Sequence, residues 1–300
     1  MDFVIVGPEK TGTGWIDSAL RACLPNALPK VTKETFYLDR LHHLGPRWHA
    51  SLYSGEATLR GEVSPSYFAR PIARERLAAI NPDARVVVML RDPFARMASH
   101  LLHIMRRGAG SLRHRDLGLN PALWSEARES SLYQRHGNAW RAAFGAERVL
   151  FLRYGNIRRD PARMLQAVCR HIGAPAEINP IWAREFSATR VFESATPTAP
   201  GLAQLAYRVS RSLQAVGATR LVEAARRSGV RKLFERSGES VKGARAELER
   251  RLRAEENFDR DIEFGEEAIG VGLDEWRTGR MLAPIASVPA EAANRAESPW

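Results

Sequence analysis

Apolar runs alternate with amphipathic segments along the first 180 residues of the chain, and the alternation predicts strand, helix, strand, helix. Phe3-Val4-Ile5-Val6 is a short, wholly apolar strand that passes into Gly7-Pro8-Glu9-Lys10-Thr11-Gly12-Thr13-Gly14. Trp15, Ala19 and Cys23 then share one helical face, with Ile16 and Leu20 beside them, which predicts a helix running to Pro25. Residues Val31–Tyr37 predict a short strand or an extended turn, and Arg70–Ile80 a helix that closes before Asn81-Pro82-Asp83. Arg85-Val86-Val87-Val88-Met89-Leu90 is apolar without alternation, the pattern of a central parallel strand covered on both faces. It ends at Arg91-Asp92-Pro93, where Asp92 suits a helix N-cap and Pro93 the first helical position. The helix that follows runs to about Met105. Phe94, Met97, Leu101 and Met105 face the core, and Arg96, Ser99, His100 and His103 line another side.

A basic, less regular stretch from Arg106 to Leu119 reads as a mobile loop, followed by one helix over Trp124–Phe144 and a strand over Val149–Tyr154. Asp160-Pro161 starts a helix that Gly173 can end. Strands alternating with helices predict an α/β fold with a parallel sheet. From residue 199 to 280 the pattern is helical, interrupted by Gly217, Gly229, Gly238 and Gly243, and residues 281–300 are Ala/Pro/Glu-rich and expected to be disordered. The predicted organisation is a single domain: a core over 1–198, a helical part of the same domain over 199–280, and a tail.

With 300 residues, 44% hydrophobic and 26% charged, the chain can bury a core without staples. Cys23 and Cys169 lie in apolar contexts and read as small buried hydrophobes in a reducing compartment. The start carries no basic n-region and the apolar run is broken at Gly7-Pro8, so a cytoplasmic protein without stable membrane insertion is expected. The net charge of +11 and a pI near 10.3 favour anionic partners. Much of that charge, as in Glu249-Arg250-Arg251-Leu252-Arg253, reads as solvated helix faces. Zinc-finger spacing, an RNA-binding aromatic signature and a dense basic tail are all lacking, which argues against nucleic acid. The histidines show no metal-ligand spacing, so no metal is expected.

Chemistry gathers at the ends of the two best strands. A strand that ends in a Gly/Lys/Thr-rich loop and starts a helix grips phosphate, through backbone N–H groups, the helix N-terminus and a lysine charge. Lys10 precedes both loop glycines, unlike the Gly-Lys-Ser/Thr order of the loop that cradles ATP or GTP. A second grip, Arg91 with Ser99 down the next helix, lies at the end of the second strand. Two separated grips suit a nucleotide phosphorylated at both ends of its ribose.

The motifs Pro8-Glu9-Lys10-Thr11-Gly12-Thr13-Gly14-Trp15 and Val88-Met89-Leu90-Arg91-Asp92-Pro93-Phe94-Ala95-Arg96-Met97-Ala98-Ser99-His100 resemble the 5′-phosphosulfate loop and 3′-phosphate motif of sulfotransferases that use 3′-phosphoadenosine 5′-phosphosulfate (PAPS). Lys33-Glu34-Thr35-Phe36-Tyr37 and Glu62-Val63-Ser64-Pro65-Ser66-Tyr67-Phe68 are similar to segments of the carbohydrate-type branch that hold the base and line the acceptor cleft. Leu152-Arg153-Tyr154-Gly155-Asn156 through Asp160-Pro161, and the surroundings of Trp276, match more loosely. Two departures stand out: Val63 replaces an expected lysine, and the cysteine-bounded Lys-Gly-Arg loop of heparan-type enzymes has no counterpart, leaving residues Arg190–Pro200 to close over the nucleotide.

The resemblance implies a P-loop-like parallel sheet flanked by helices, with a helical C-terminal extension. It implies PAPS as cosubstrate, contacted by Lys10, Thr11, Gly12, Thr13, Gly14, Trp15, Arg91 and Ser99. Trp15 suits core burial equally well. Lys10 would neutralise the leaving phosphate and Glu34 act as general base, with His100 and His103 ranked second and Glu62 third. Lys33, Ser64, Ser66 and Tyr67 are the acceptor contacts, and the acceptor is a hydroxyl or amine on a glycan or small molecule. A P-loop kinase or hydrolase, which needs a Mg²⁺-binding Ser/Thr and an acidic strand end, is the first alternative. An inactive anion-binding relative is the second.

Overall fold

The computed structural model describes residues 1–30, 32–105, 121–189 and 240–279, with residues 196–197, 209, 213, 218 and 235–236 between the last two stretches. The expected loop at 106–119, the tail at 281–300 and all but residues 196–197 of the 190–200 segment lie outside the described residues.

Four strands form the central sheet: β1 (Phe3–Gly7), β2 (Gly61–Val63), β3 (Arg85–Leu90) and β4 (Val149–Arg153). Their order is β2-β1-β3-β4 and every neighbouring pair is parallel. Phe3 pairs with both Gly61 and Arg85, and Val88 with Phe151. The chain moves from β1 to β2 on one side, then crosses to β3 on the other, so the strand order reverses between β1 and β3. Open α/β sheets bind ligands at the carboxyl ends of the strands beside such a reversal.

Side chains alternate strictly across the sheet. Val4, Val6, Val86, Val88, Leu90 and Phe151 enter one apolar layer; Phe3, Ile5, Val87, Met89 and Leu152 enter the other. This is why β3 reads as continuously apolar: both faces are covered. The first layer is roofed by α3 (Pro71–Ile80), α4 (Pro93–Ile104) and α6 (Tyr133–Phe144), through Leu77, Met97, Leu101 and Trp140. Leu248 and Leu252 of α10 (Ser240–Glu255), Ile262 and Phe264 of α11 (Asp259–Ile269), and Trp276 of α12 (Asp274–Thr278) enter that layer too. The second layer is roofed by α1 (Thr13–Cys23), the short α7 (Asn156–Arg159), α8 (Pro161–Ile172) and α9 (Pro180–Thr189), through Leu20, Ile157, Leu165, Cys169 and Ala183. Cys23 and Cys169 are free thiols.

Of the two readings of Val31–Tyr37 the turn holds: residues 32–37 form no strand and lead to α2 (Gly45–Ala50). One expectation changes. The single helix over Trp124–Phe144 is two: α5 (Pro121–Glu129) ends and α6 begins at Tyr133. Ser130 and Ser131 are both buried at that corner, and the Ser131 hydroxyl donates to the Pro93 carbonyl at 3.3 Å. A hydroxyl that bonds to another element's backbone competes with helix continuation. No described helix is long and apolar enough to cross a membrane.

Candidate active site at the strand reversal

After β1 the backbone turns at Gly7, φ +87°, where a Cβ would stand 2.6 Å from Pro65 Cβ. Lys10 at φ +73° and Gly12 at φ +88° continue the left-handed turns. These are glycine-type conformations, and Lys10 holds one at a cost that local strain at a functional loop can explain. The buried Thr11 hydroxyl donates to the Pro8 carbonyl at 2.6 Å, closing the loop on itself. Gly12 presses on the chain after β4: a Cβ there would meet Ile157 Cδ1 at 2.4 Å and Tyr154 Cδ2 at 2.9 Å. Thr13 and Gly14 form the first turn of α1.

The second grip touches the first. Arg91 Nη1 donates to the Lys10 carbonyl at 3.0 Å, and its guanidinium lies 4.7 Å over the Tyr154 ring. Burial lowers its pKa, and the like charge of Arg245 on α10 pushes the same way. The Tyr133 hydroxyl donates to the Arg91 carbonyl at 2.8 Å. Asp92 caps α4 by accepting from Phe94 N at 2.9 Å and Ala95 N at 3.3 Å, and its other oxygen pairs with Arg253 of α10. Burial pushes the Asp92 carboxyl up to about 6 against the pull of Arg253. Ser99 is half-buried two turns along α4.

Lys33 brings the candidate base to the same place. Its Nζ donates to Thr13 Oγ1 at 3.1 Å and lies 3.6 Å from Glu34 Oε1, so Glu34 stands beside the start of α1. Lys33 and Glu34 are each a little over one-quarter exposed, open enough to meet a ligand. Behind them is a buried polar network. Thr35 Oγ1 donates to Glu62 Oε2 at 2.5 Å, His49 Nε2 is 3.3 Å from the same oxygen, and Leu38 N donates to the Tyr67 hydroxyl at 3.0 Å. Burial, with Glu62 adding to it, raises the Tyr67 phenol well above its ordinary value. Ser64, Ser66 and Tyr67 are all buried.

Trp15 follows the core alternative. Its indole is 2% exposed, donates to Ser187 Oγ at 3.0 Å and meets Phe186 edge-on at 6.1 Å. His100 is buried beside Arg96, which is itself fully buried. Tyr133, Tyr154 and Ser131 join the site region and were not singled out from the sequence. Tyr154 is the last residue of a predicted strand, so its position was the available signal; Ser131 lay hidden inside a predicted helix.

A parallel sheet with a Gly/Lys/Thr-rich loop and a cationic strand end meeting at its reversal defines an α/β fold of the P-loop-like type. Residues 50–177 match the model of the sulfotransferase family. The chain is 31% identical over 169 residues to human heparan sulfate glucosamine 3-O-sulfotransferase 6, covering 53% of this chain and 48% of that protein. It is 27% identical over 195 residues to the bifunctional heparan sulfate N-deacetylase/N-sulfotransferase 1 of Caenorhabditis briggsae, covering 58% of this chain and 23% of that protein. The chain thus spans less than half the length of these curated relatives. Its fold is similar to the crystal structure of a sulfotransferase from Alicyclobacillus acidocaldarius, with a TM-score of 0.59 and 20% identity over 92% of this chain and 98% of that one.

Proposed function

We propose that the protein transfers a sulfuryl group from PAPS to a hydroxyl or amine of a carbohydrate acceptor. One observation carries this reading: Arg91 reaches the Lys10 carbonyl, and Lys33 spans Thr13 and Glu34, so two anion grips and a carboxylate share one end of the sheet. In the transfer, the bond from sulfur to the bridging phosphate oxygen breaks and a bond from sulfur to the acceptor oxygen or nitrogen forms. Glu34 takes the acceptor proton. The electron pair stays with adenosine 3′,5′-bisphosphate, where Lys10 offsets the growing charge.

The loop fits the 5′ end of the donor: Thr11, Gly12, Thr13 and Gly14 supply donors at a helix start. Arg91 and Ser99 fit the 3′-phosphate. Trp15 acts from the core, holding α1 in place. Lys33 is the acceptor contact beside the base, and Ser64, Ser66 and Tyr67 form the buried wall behind it. The names of the relatives point to glucosamine-bearing glycans as the first acceptors to try, and the net charge of +11 suits an acidic chain. The two free thiols suit the reducing, cytoplasmic setting expected from composition.

Transfer of labelled sulfate from PAPS to heparan-type oligosaccharides and to small alcohols and amines tests the reaction. Glu34→Gln should keep its affinity for adenosine 3′,5′-bisphosphate and lose about 100- to 10,000-fold in transfer rate, the usual worth of a general base. Native rates in that variant would remove Glu34 from the chemistry.

A further inference from the structure

Arg96 is a fully buried charge on the helix that follows β3. An apolar side chain of similar volume fills such a space without desolvating a charge. What the guanidinium supplies is a fork of fixed donors, and here the fork is spent on separate pieces of chain. Nε donates to Ser131 Oγ at 2.7 Å, and Nη2 donates to the Ala127 carbonyl. Nη1 donates to the Glu9 carbonyl at 3.3 Å and lies 3.2 Å from His100 Nδ1. Ser131 in turn donates to the Pro93 carbonyl at the start of α4. The α5–α6 corner therefore fixes Arg96, and Arg96 reaches into the loop after β1.

The reach falls on a telling atom. Arg96 holds the Glu9 carbonyl and Arg91 the very next one, that of Lys10. Both peptide groups are trans, since the cis bond in this loop is Gly7-Pro8. In a trans peptide the N–H points opposite to the C=O. Carbonyls drawn toward the two arginines therefore turn the N–H groups of Lys10 and Thr11 the other way.

We propose that Arg96 is a positioning residue for the nucleotide: with Arg91 it pins two successive carbonyls of the loop and so aims the Lys10 and Thr11 N–H groups at the 5′-phosphate. The inference rests on the nucleotide reading above. It assigns β3–α4 two duties, since the segment carrying the 3′-phosphate grip also sets the direction of the 5′ grip.

Calorimetric titration of the full chain with adenosine 3′,5′-bisphosphate tests it, using native protein, Arg96→Lys and Ser131→Ala, each well below its own melting temperature. Lysine keeps the charge and loses the fork; Ser131→Ala leaves Arg96 in place and removes its anchor. Arg96→Lys should weaken binding roughly ten- to a hundredfold, the loss of one charge-assisted hydrogen bond. Ser131→Ala should weaken it several-fold, and in turnover the donor KM of both should rise more than kcat falls. Native affinity in both variants, with only the melting temperature lowered, would make the cluster purely structural and overturn the proposal. Failure of the native protein to bind the bisphosphate at all would overturn the nucleotide reading, and this inference with it.

Discussion

Asp261, at the start of α11, accepts from Gln134 N at 3.0 Å and so ties α11 to α6. Burial pushes its carboxyl up to about 6, against the pull of the backbone N–H groups it accepts from. A carboxyl whose folded pKa lies above its unfolded value binds its proton more tightly in the folded state. Stability from this group is therefore present at low pH and lost as pH rises through the window from about 4 to about 6. Asp261→Asn keeps an acceptor and cannot ionise. The native protein should lose about 1–3 kcal/mol relative to that variant across the window, read as diverging urea midpoints; parallel pH profiles would contradict the shift. Residues at strand ends were the most legible from sequence, because Lys10 and Arg91 follow unambiguous apolar runs. Trp15 was ambiguous in principle, since its helical spacing serves core and site alike. Ser64, Ser66 and Tyr67 read as acceptor contacts by residue type, yet all three are buried and Tyr67 is tied to the 32–41 segment at Thr35 and Leu38.

Among the elements, α4 carries the most. Asp92 caps it, Arg253 of α10 pairs with that cap, and the same guanidinium lies 4.5 Å over Phe94. At a pH above about 6, where Asp92 is charged, Asp92→Ala removes the cap and leaves the partly buried Arg253 with Glu249 as its remaining carboxylate partner. The expected cost is about 2 kcal/mol in chemical unfolding. Asp92→Ala and Arg253→Ala together should cost measurably less than their sum; additivity within about 0.5 kcal/mol would mean the two side chains do not depend on each other. This cap was readable in advance from Asp92-Pro93, because capping is local chemistry. Its partner was not, since 161 residues separate Asp92 from Arg253 and no local pattern registers the contact. The break at Ser130–Leu132 escaped for a related reason. The apolar spacing continues across it, and the break coincides with Ser131 accepting from Arg96 and donating to Pro93, contacts that no local pattern registers.

At the scale of the molecule, sheet order was the least accessible feature and the one that matters most. Alternation of strands and helices predicts a parallel sheet but leaves its permutation open. The observed order β2-β1-β3-β4 is what sets β1 beside β3 and brings Lys10 to Arg91. The C-terminal helices were visible as helices. Their placement over the first apolar layer, with Arg245 near Arg91, depends on packing across the whole chain.

Central to the account is that Lys10 and Arg91 hold opposite ends of one doubly phosphorylated nucleotide. Calorimetric titration with adenosine 3′,5′-bisphosphate and with ATP, on native protein and on Arg91→Ala, tests this most directly. The native protein should prefer the bisphosphate, and Arg91→Ala should weaken its binding about tenfold or more, narrowing the preference. Equal or tighter binding of ATP, or a bisphosphate affinity indifferent to Arg91, would contradict the account.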